Sequence, residues 1–133
     1  VGLWVVAPGA GLLLFLVSSA IHFGEGDAPR SIPRVRRWMC VAAHGSAPIV
    51  LTSVLHPGDV GVVFGWLLGA PGTEISAWLG VNRPWLLMAW GAAALAGHLG
   101  RWDLPERRSV MELCLLTVAF AVLPPLLSFT VYF

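Results

Sequence analysis

Lysine is absent from this 133-residue chain, and charge of either sign is scarce. Eight basic residues, all arginine, stand against seven acidic ones, so the formal net charge is only +1. The arginines lie in loops between apolar runs, without the interleaved aromatic residues or the basic stripe of a nucleic-acid-binding surface. We therefore expect no nucleic-acid partner.

Cysteine is nearly absent too, and several catalytic motifs are missing altogether. The two cysteines, Cys40 and Cys114, lie far apart within apolar runs, which favours reduced thiols over a disulfide framework. The chain has no GxSxG elbow, P-loop, CxxC pair, HExxH helix or dinucleotide fingerprint. Soluble hydrolase, nucleotide-binding and zinc-protease chemistries therefore lack their usual support.

Apolar residues make up 57 % of the chain, which is too much for one small water-soluble core. We predict an all-α, polytopic transmembrane helix bundle forming one domain over residues 1–133. A span needs about 20 mostly apolar residues, which predicts spans at about 3–23, 38–55, 84–99 and 110–133. Residues 60–80 could form an interfacial helix, a re-entrant segment or a bent fifth span. Because the chain starts at Val1 and stops within an apolar run, we expect a fragment truncated at both ends.

The arginines also predict an orientation. Most of them fall in the loops after the first and third predicted spans, and the positive-inside rule assigns such loops to the cytoplasm. We expect a multi-pass protein of the cell (inner) membrane.

This topology places His22, His44 and His98 in the same half of the lipid bilayer, with Glu112 at a similar depth. Ionisable residues at membrane depth usually face the bundle interior or a cavity, and several neutral imidazoles at one level suit a non-haem metal. Two alternatives remain open. Each histidine could hydrogen-bond a neighbouring helix, which we favour for His44 and His98, or the cluster could form a proton or ion path in a transporter or channel subunit.

The surroundings of His22 are more specific. We expect Gly24 and Gly26 to end the first helix in left-handed conformations, which would turn Glu25 and Asp27 towards the imidazole. Either carboxylate could then accept a hydrogen bond from the ring, as happens around metal-binding histidines. Alternatively, both carboxylates pair with arginines of the following loop in solvent.

Prolines interrupt two of the predicted spans. Pro124 and Pro125 remove two backbone donors in the last span, and Pro48 removes one in the second span, so we expect kinks or breaks at both places. Such breaks are tolerated where they line a cavity, and a long cavity would suit an apolar substrate drawn from the lipid.

Three stretches in this order resemble the Brp/Blh family of membrane-bound β-carotene 15,15′-dioxygenases. They are "HFGEGD" at 22–27, "HGSAPIVLTSVLHP" at 44–57, and "ELCLLTVAFAVLPPLLSFTVYF" at 112–133. The resemblance implies an Fe(2+) enzyme that uses O₂ to split β-carotene into two molecules of retinal, the chromophore of rhodopsins. It implies that His22 binds the iron, while further ligands belong to an upstream histidine motif and to an HSxRH-type motif after Phe133.

The sequence departs from the family at one candidate residue. His44 stands where the family often has arginine, so the resemblance gives His44 no ligand role. Because the other ligand motifs are missing, we expect the fragment alone to be inactive. Another membrane non-haem iron oxidase, such as a desaturase or hydroxylase, remains a further alternative.

Overall fold

The computed structural model describes residues 6–99, 104–125 and 127, which form helices and no strand. This confirms the all-α prediction for the described residues. The helices are α1 (Pro8–Asp27), α2 (Arg34–Leu55), α3 (Pro57–Leu68), α4 (Gly72–His98) and α5 (Leu104–Val122).

Helices α1 and α2 pack against each other through glycines. A side chain at Gly24 would collide with the backbone of Val41, and one at Gly45 would collide with the backbone of Ala20. Because residue numbers rise on one helix as they fall on the other, the two helices are antiparallel. Missing Cβ atoms thus permit the close backbone approach.

The prediction that Gly24 and Gly26 end the first helix was wrong. Helix α1 continues to Asp27, and neither glycine has a positive φ, since Gly69 is the one residue with a positive φ in the part of the chain described. Gly24 instead allows α1 to pack closely against α2. Close packing and a left-handed helix end both favour glycine, but only the helix end needs a positive φ.

Residues 57–98 form a helical hairpin. The 12-residue helix α3 ends at Gly69, whose φ of 66° is left-handed, and α4 begins after Pro71. The Ser76 hydroxyl donates to the carbonyls of Pro57 and Gly72, both at 2.9 Å. The segment at 60–80 therefore consists of a short helix, a turn and the first third of a long helix.

Helix α2 occupies the centre of the bundle. Its core residues Ala43, Ala47 and Leu51 pack with Leu113 and Phe120 of α5, and residues of α4 cover the same cluster. Helix α2 continues through Pro48, so the helix does not break there, and of the expected kink or break only the kink stays a prediction. A proline can remain inside a helix where neighbouring helices enclose it, and Pro48 is fully buried.

The predicted interruption at Pro124 and Pro125 is confirmed, because α5 ends at Val122. The last residues of the predicted span at 110–133 lie outside the described residues.

Two of the described helices, α1 and α2, are long and apolar enough to cross a membrane, by length and composition. Helix α3 is apolar but shorter than a span; its 12 residues extend about 18 Å, against about 30 Å of hydrocarbon. Both cysteines are free thiols, as expected, with Cys40 buried and Cys114 exposed.

Candidate functional site

His22 is exposed near the C-terminal end of α1. Ala20 and Gly24 face α2, and His22 is two residues from each. Two residues correspond to about 200° around a helix, so the imidazole points away from α2. Its ring meets the ring of Phe23 edge to face, with the centroids 5.4 Å apart.

An apolar cavity of about 770 Å³ lies among the helices, and His22 is not one of its lining residues. Helices α1, α2 and α3 form its walls, and Pro124 and Pro125 close part of one side. Ser19 and Phe23, which flank His22 on α1, both line it, as do Leu12, Phe15, Leu16, Ile49, Val60, Val63, Phe64 and Trp66. His22 is therefore adjacent on α1 to residues that line the cavity, without lining it itself.

Four polar residues interrupt the apolar walls of the cavity: Ser19, Thr52, Ser53 and Asp59. Thr52 is the most enclosed of them, with 1 % of its surface exposed. Its Oγ1 atom is buried without a hydrogen-bond partner. Because an unpaired buried hydroxyl is unfavourable, Thr52 is a candidate for contact with a ligand.

A second polar group joins α2, α4 and α5. His44 is fully buried, its Nε2 lies 3.0 Å from Ser109 Oγ, and its ring centroid lies 5.5 Å from that of His98. Nδ1 of His44 and both ring nitrogens of His98 are buried without hydrogen-bond partners. The structure thus brings the rings of His44 and His98 together. His22 lies on α1 and points away from α2, so it does not join this pair.

Ser109 also lines a polar pocket of about 390 Å³ at the end of α1. Asp27 and Glu112 line the same pocket, and Glu112 forms an ion pair of 2.8 Å with Arg108, one turn before it on α5. Two of the candidate carboxylates are therefore close to Ser109, which contacts the His44 ring.

The two carboxylates near His22 differ in their position on the helix. Because α1 continues to Asp27, Glu25 follows His22 by three residues and lies on a neighbouring part of the helix surface. Asp27 follows by five residues, which turns it about 140° away, and it faces the polar pocket instead. Of the two, Glu25 is the one positioned along α1 to approach the imidazole.

In the described part of the chain, no three histidine, cysteine, aspartate or glutamate side chains form a group that could hold a metal ion. His22 offers one imidazole, and imidazole is a suitable donor for iron. The described residues therefore supply one suitable iron ligand, His22, and they do not form a complete iron site.

Sequence reasoning did not single out Thr52 or Ser109. Ser109 lies 65 residues from His44, and only the register of α2 against α5 brings the two together. Thr52 carried a weak signal, since it lies one turn after Pro48 on a helix expected to border a cavity.

Comparison with known proteins identifies the family. The family model for β-carotene 15,15′-dioxygenase matches residues 1–133. The chain belongs to the β-carotene 15,15′-dioxygenase family. This confirms the resemblance inferred from the three sequence stretches.

A β-carotene 15,15′-dioxygenase from the uncultured marine bacterium 66A03 is 33 % identical to the chain over 69 residues. The match covers 52 % of this chain and 25 % of that dioxygenase, so the chain spans about a quarter of the relative that it matches. No solved structure matches the chain.

Proposed function

We propose that the complete enzyme cleaves the central double bond of β-carotene with O₂ and releases two molecules of retinal. The observation that carries the proposal is the apolar cavity, whose α1 wall ends beside the exposed imidazole of His22. Family membership supports the same chemistry. In this reaction the carbon–carbon double bond breaks and each carbon receives one oxygen atom of O₂, so no further reductant is required.

His22 would hold iron(II) as one of its protein ligands. When bound, iron supplies the O₂ chemistry that amino-acid side chains cannot provide. Glu25, three residues after His22 on the same helix, would accept a hydrogen bond from the second ring nitrogen and fix the orientation of the imidazole. The remaining iron ligands would come from residues other than those described.

The cavity residues would bind and orient the polyene. Aromatic side chains of Phe15, Phe23 and Phe64 line the cavity together with aliphatic residues, and such a surface binds a hydrocarbon chain while excluding water. Fixing the polyene lengthwise would bring one double bond to the reacting position, which is the main contribution that positioning makes to the rate.

We further propose that the enzyme lies in the cell membrane with about four spans: α1, α2, α4 and α5. Large apolar side chains are exposed on several helices, among them Leu13 and Phe15 on α1, Trp85 on α4 and Leu115 on α5. A water-soluble protein rarely exposes so much apolar surface. Helix α3 would enter the bilayer without crossing it, and β-carotene would arrive from the lipid. The retinal produced would serve as the chromophore of a rhodopsin.

Expression of the full-length enzyme in a β-carotene-producing bacterium tests the proposed function. We expect the yellow colour to fade and retinal to accumulate, as measured by chromatography of the extracted pigments. His22→Ala should abolish both effects because it removes an iron ligand. Ser18→Ala, an exposed substitution one helical turn earlier, serves as the matched control and should retain cleavage.

Two results would argue against the proposal. Retinal formation by the His22→Ala enzyme would mean that His22 is not an iron ligand. Full retention of the pigment in cells with correctly inserted wild-type enzyme would favour a transporter or channel instead. Treatment of the purified enzyme with an iron chelator should stop cleavage, and added Fe(2+) should restore it.

A further inference from the structure

The walls of the apolar cavity differ in exposure from one helix to the next. On α2, the lining residues Pro48, Thr52 and Ser53 are buried. On α1 and α3, Phe15 and Trp66 line the same cavity but are 58 % and 81 % exposed. A residue that both lines a cavity and is exposed lies where the cavity opens. The cavity therefore opens between α1 and α3, and α2 forms its closed wall.

Backbone contacts close the neighbouring seams of the bundle. Gly24 lies against the backbone of Val41, which closes α1 against α2. Gly65 lies against the backbone of Gly72, which closes α3 against α4. The opening between α1 and α3 is instead bordered by exposed side chains, which change rotamer within nanoseconds. Passage of a ligand through this opening therefore requires side-chain movement and leaves both backbone contacts intact.

The surface around this opening is apolar. Large apolar side chains are exposed near it on both helices: Leu13, Leu14 and Val17 on α1, and Val62, Val63 and Leu67 on α3. Contact of such a surface with water is unfavourable, whereas lipid chains cover it without that cost. An opening with this border is suited to receive a long apolar ligand from the hydrocarbon region of a membrane.

We propose that β-carotene enters the cavity sideways from the lipid, through the opening between α1 and α3 that Phe15, Val63 and Trp66 border. This inference rests on the proposed function for the identity of the ligand, and it adds the route. A hydrocarbon on this route stays in apolar surroundings, so none of its surface passes through water. The size of the side chains at the opening then determines the rate of uptake and leaves the cleavage step unchanged.

Narrowing the opening tests the inference. The purified full-length enzyme is mixed rapidly with β-carotene in detergent micelles under anaerobic conditions, where no cleavage occurs, and the absorbance shift of the bound polyene gives the uptake rate. Val63→Trp enlarges an exposed side chain of the cavity wall. It should slow uptake about tenfold, because entry then requires a larger rearrangement. In air, the same variant should lower kcat/KM by a similar factor with little change in kcat.

Leu13→Trp is the matched control. Leu13 is exposed on α1 two residues before Phe15, but it does not line the cavity. The same large side chain at this position should therefore leave the uptake rate and kcat/KM at their wild-type values. A Val63→Trp enzyme with the wild-type uptake rate, or an equal loss in both variants, would overturn the inference.

A reversible cross-link across the opening separates entry from structure. Phe15→Cys and Trp66→Cys are combined with Cys114→Ser, which removes the exposed thiol of the described residues, and the new pair is joined by a bifunctional thiol reagent that contains a disulfide. We expect the cross-link to stop β-carotene uptake and a reductant to restore it. Enzyme loaded with β-carotene before cross-linking should still complete one turnover when O₂ is admitted. Unchanged uptake by the cross-linked enzyme would contradict the route.

Anaerobic uptake distinguishes this inference from the proposed function. If the wild type binds β-carotene but forms no retinal in air, the proposed function fails, and the route still holds if Val63→Trp slows uptake and Leu13→Trp does not. If the wild type forms retinal and both variants take up β-carotene equally fast, the function holds and the route is wrong. A wild type that binds no β-carotene would contradict both.

Discussion

Ser109 and His44 connect α5 to α2 through one hydrogen bond, with Oγ and Nε2 3.0 Å apart. Both residues are buried, at 3 % and 0 % exposure. The hydroxyl can donate to or accept from the ring, so the bond satisfies one nitrogen of an imidazole that has no other hydrogen bond. A polar contact in such an enclosed position specifies how the two helices are aligned.

Ser109→Ala should destabilise the protein by about 1–3 kcal/mol, because it leaves the Nε2 atom of His44 buried without a partner. Thermal unfolding in detergent, followed by circular dichroism, measures the effect. Ser46→Ala is the matched control, since the Ser46 hydroxyl bonds only its own helix, and it should change the stability by less than about 0.5 kcal/mol. An equal effect of the two substitutions would contradict the role assigned to the Ser109 contact.

His98→Phe should leave the stability unchanged or raise it. Neither ring nitrogen of His98 has a hydrogen-bond partner, and replacing an unpaired buried polar group by an apolar one of similar shape removes an unfavourable burial. His44→Phe should be destabilising, because it deprives Ser109 of its partner. Unfolding temperatures of the two variants test this difference. If His98→Phe folds normally but loses carotenoid cleavage, the His98 ring has a functional role.

Gly24→Val should prevent the normal contact of α1 with α2 and cost at least about 2 kcal/mol, because the added side chain would meet the backbone of Val41. Gly26→Ala provides the contrast. No atom lies within 4 Å of a Cβ placed at Gly26, and alanine is favoured over glycine in a helix by up to about 1 kcal/mol. Gly26→Ala should therefore be neutral or stabilising, and a loss as large as that of Gly24→Val would contradict the packing described.

Trp90→Phe should destabilise the protein by about 1 kcal/mol, because the Trp90 indole donates a hydrogen bond of 2.9 Å to the carbonyl of Ala43. Trp85→Phe is a control on the same helix, with 67 % of Trp85 exposed. That variant should unfold at nearly the wild-type temperature. If the two tryptophan variants unfold at the same temperature, the contact between α4 and α2 does not depend on the Trp90 hydrogen bond.

The sequence predicted the helical class and the interruption at Pro124 because apolar content and missing backbone donors act locally. It did not predict the roles of Gly24 and Pro48. Glycine permits both a left-handed helix end and close helix packing, and only the neighbouring helix decides between them. Pro48 similarly remains inside α2 because surrounding helices enclose it, a tertiary effect that local rules cannot include.

The candidate site was predictable in part. The shared depth of His44 and His98 followed from span lengths, and the structure brings their rings within 5.5 Å. The direction in which His22 faces did not follow, because it depends on which side of α1 packs against α2. Thr52 was missed because its unpaired hydroxyl is visible only once the hydrogen bonds of the whole bundle are known.

The glycine contact between α1 and α2 also determines the direction of the His22 imidazole. Helix α1 cannot turn about its axis without replacing Gly24, which lies against the backbone of Val41 in α2, by a residue that carries a Cβ atom. The azimuth of every other side chain on α1 is therefore fixed, including Phe23 in the cavity wall and His22 next to it on the helix. A glycine, which has no side chain, thus fixes the direction of the imidazole that we propose as an iron ligand.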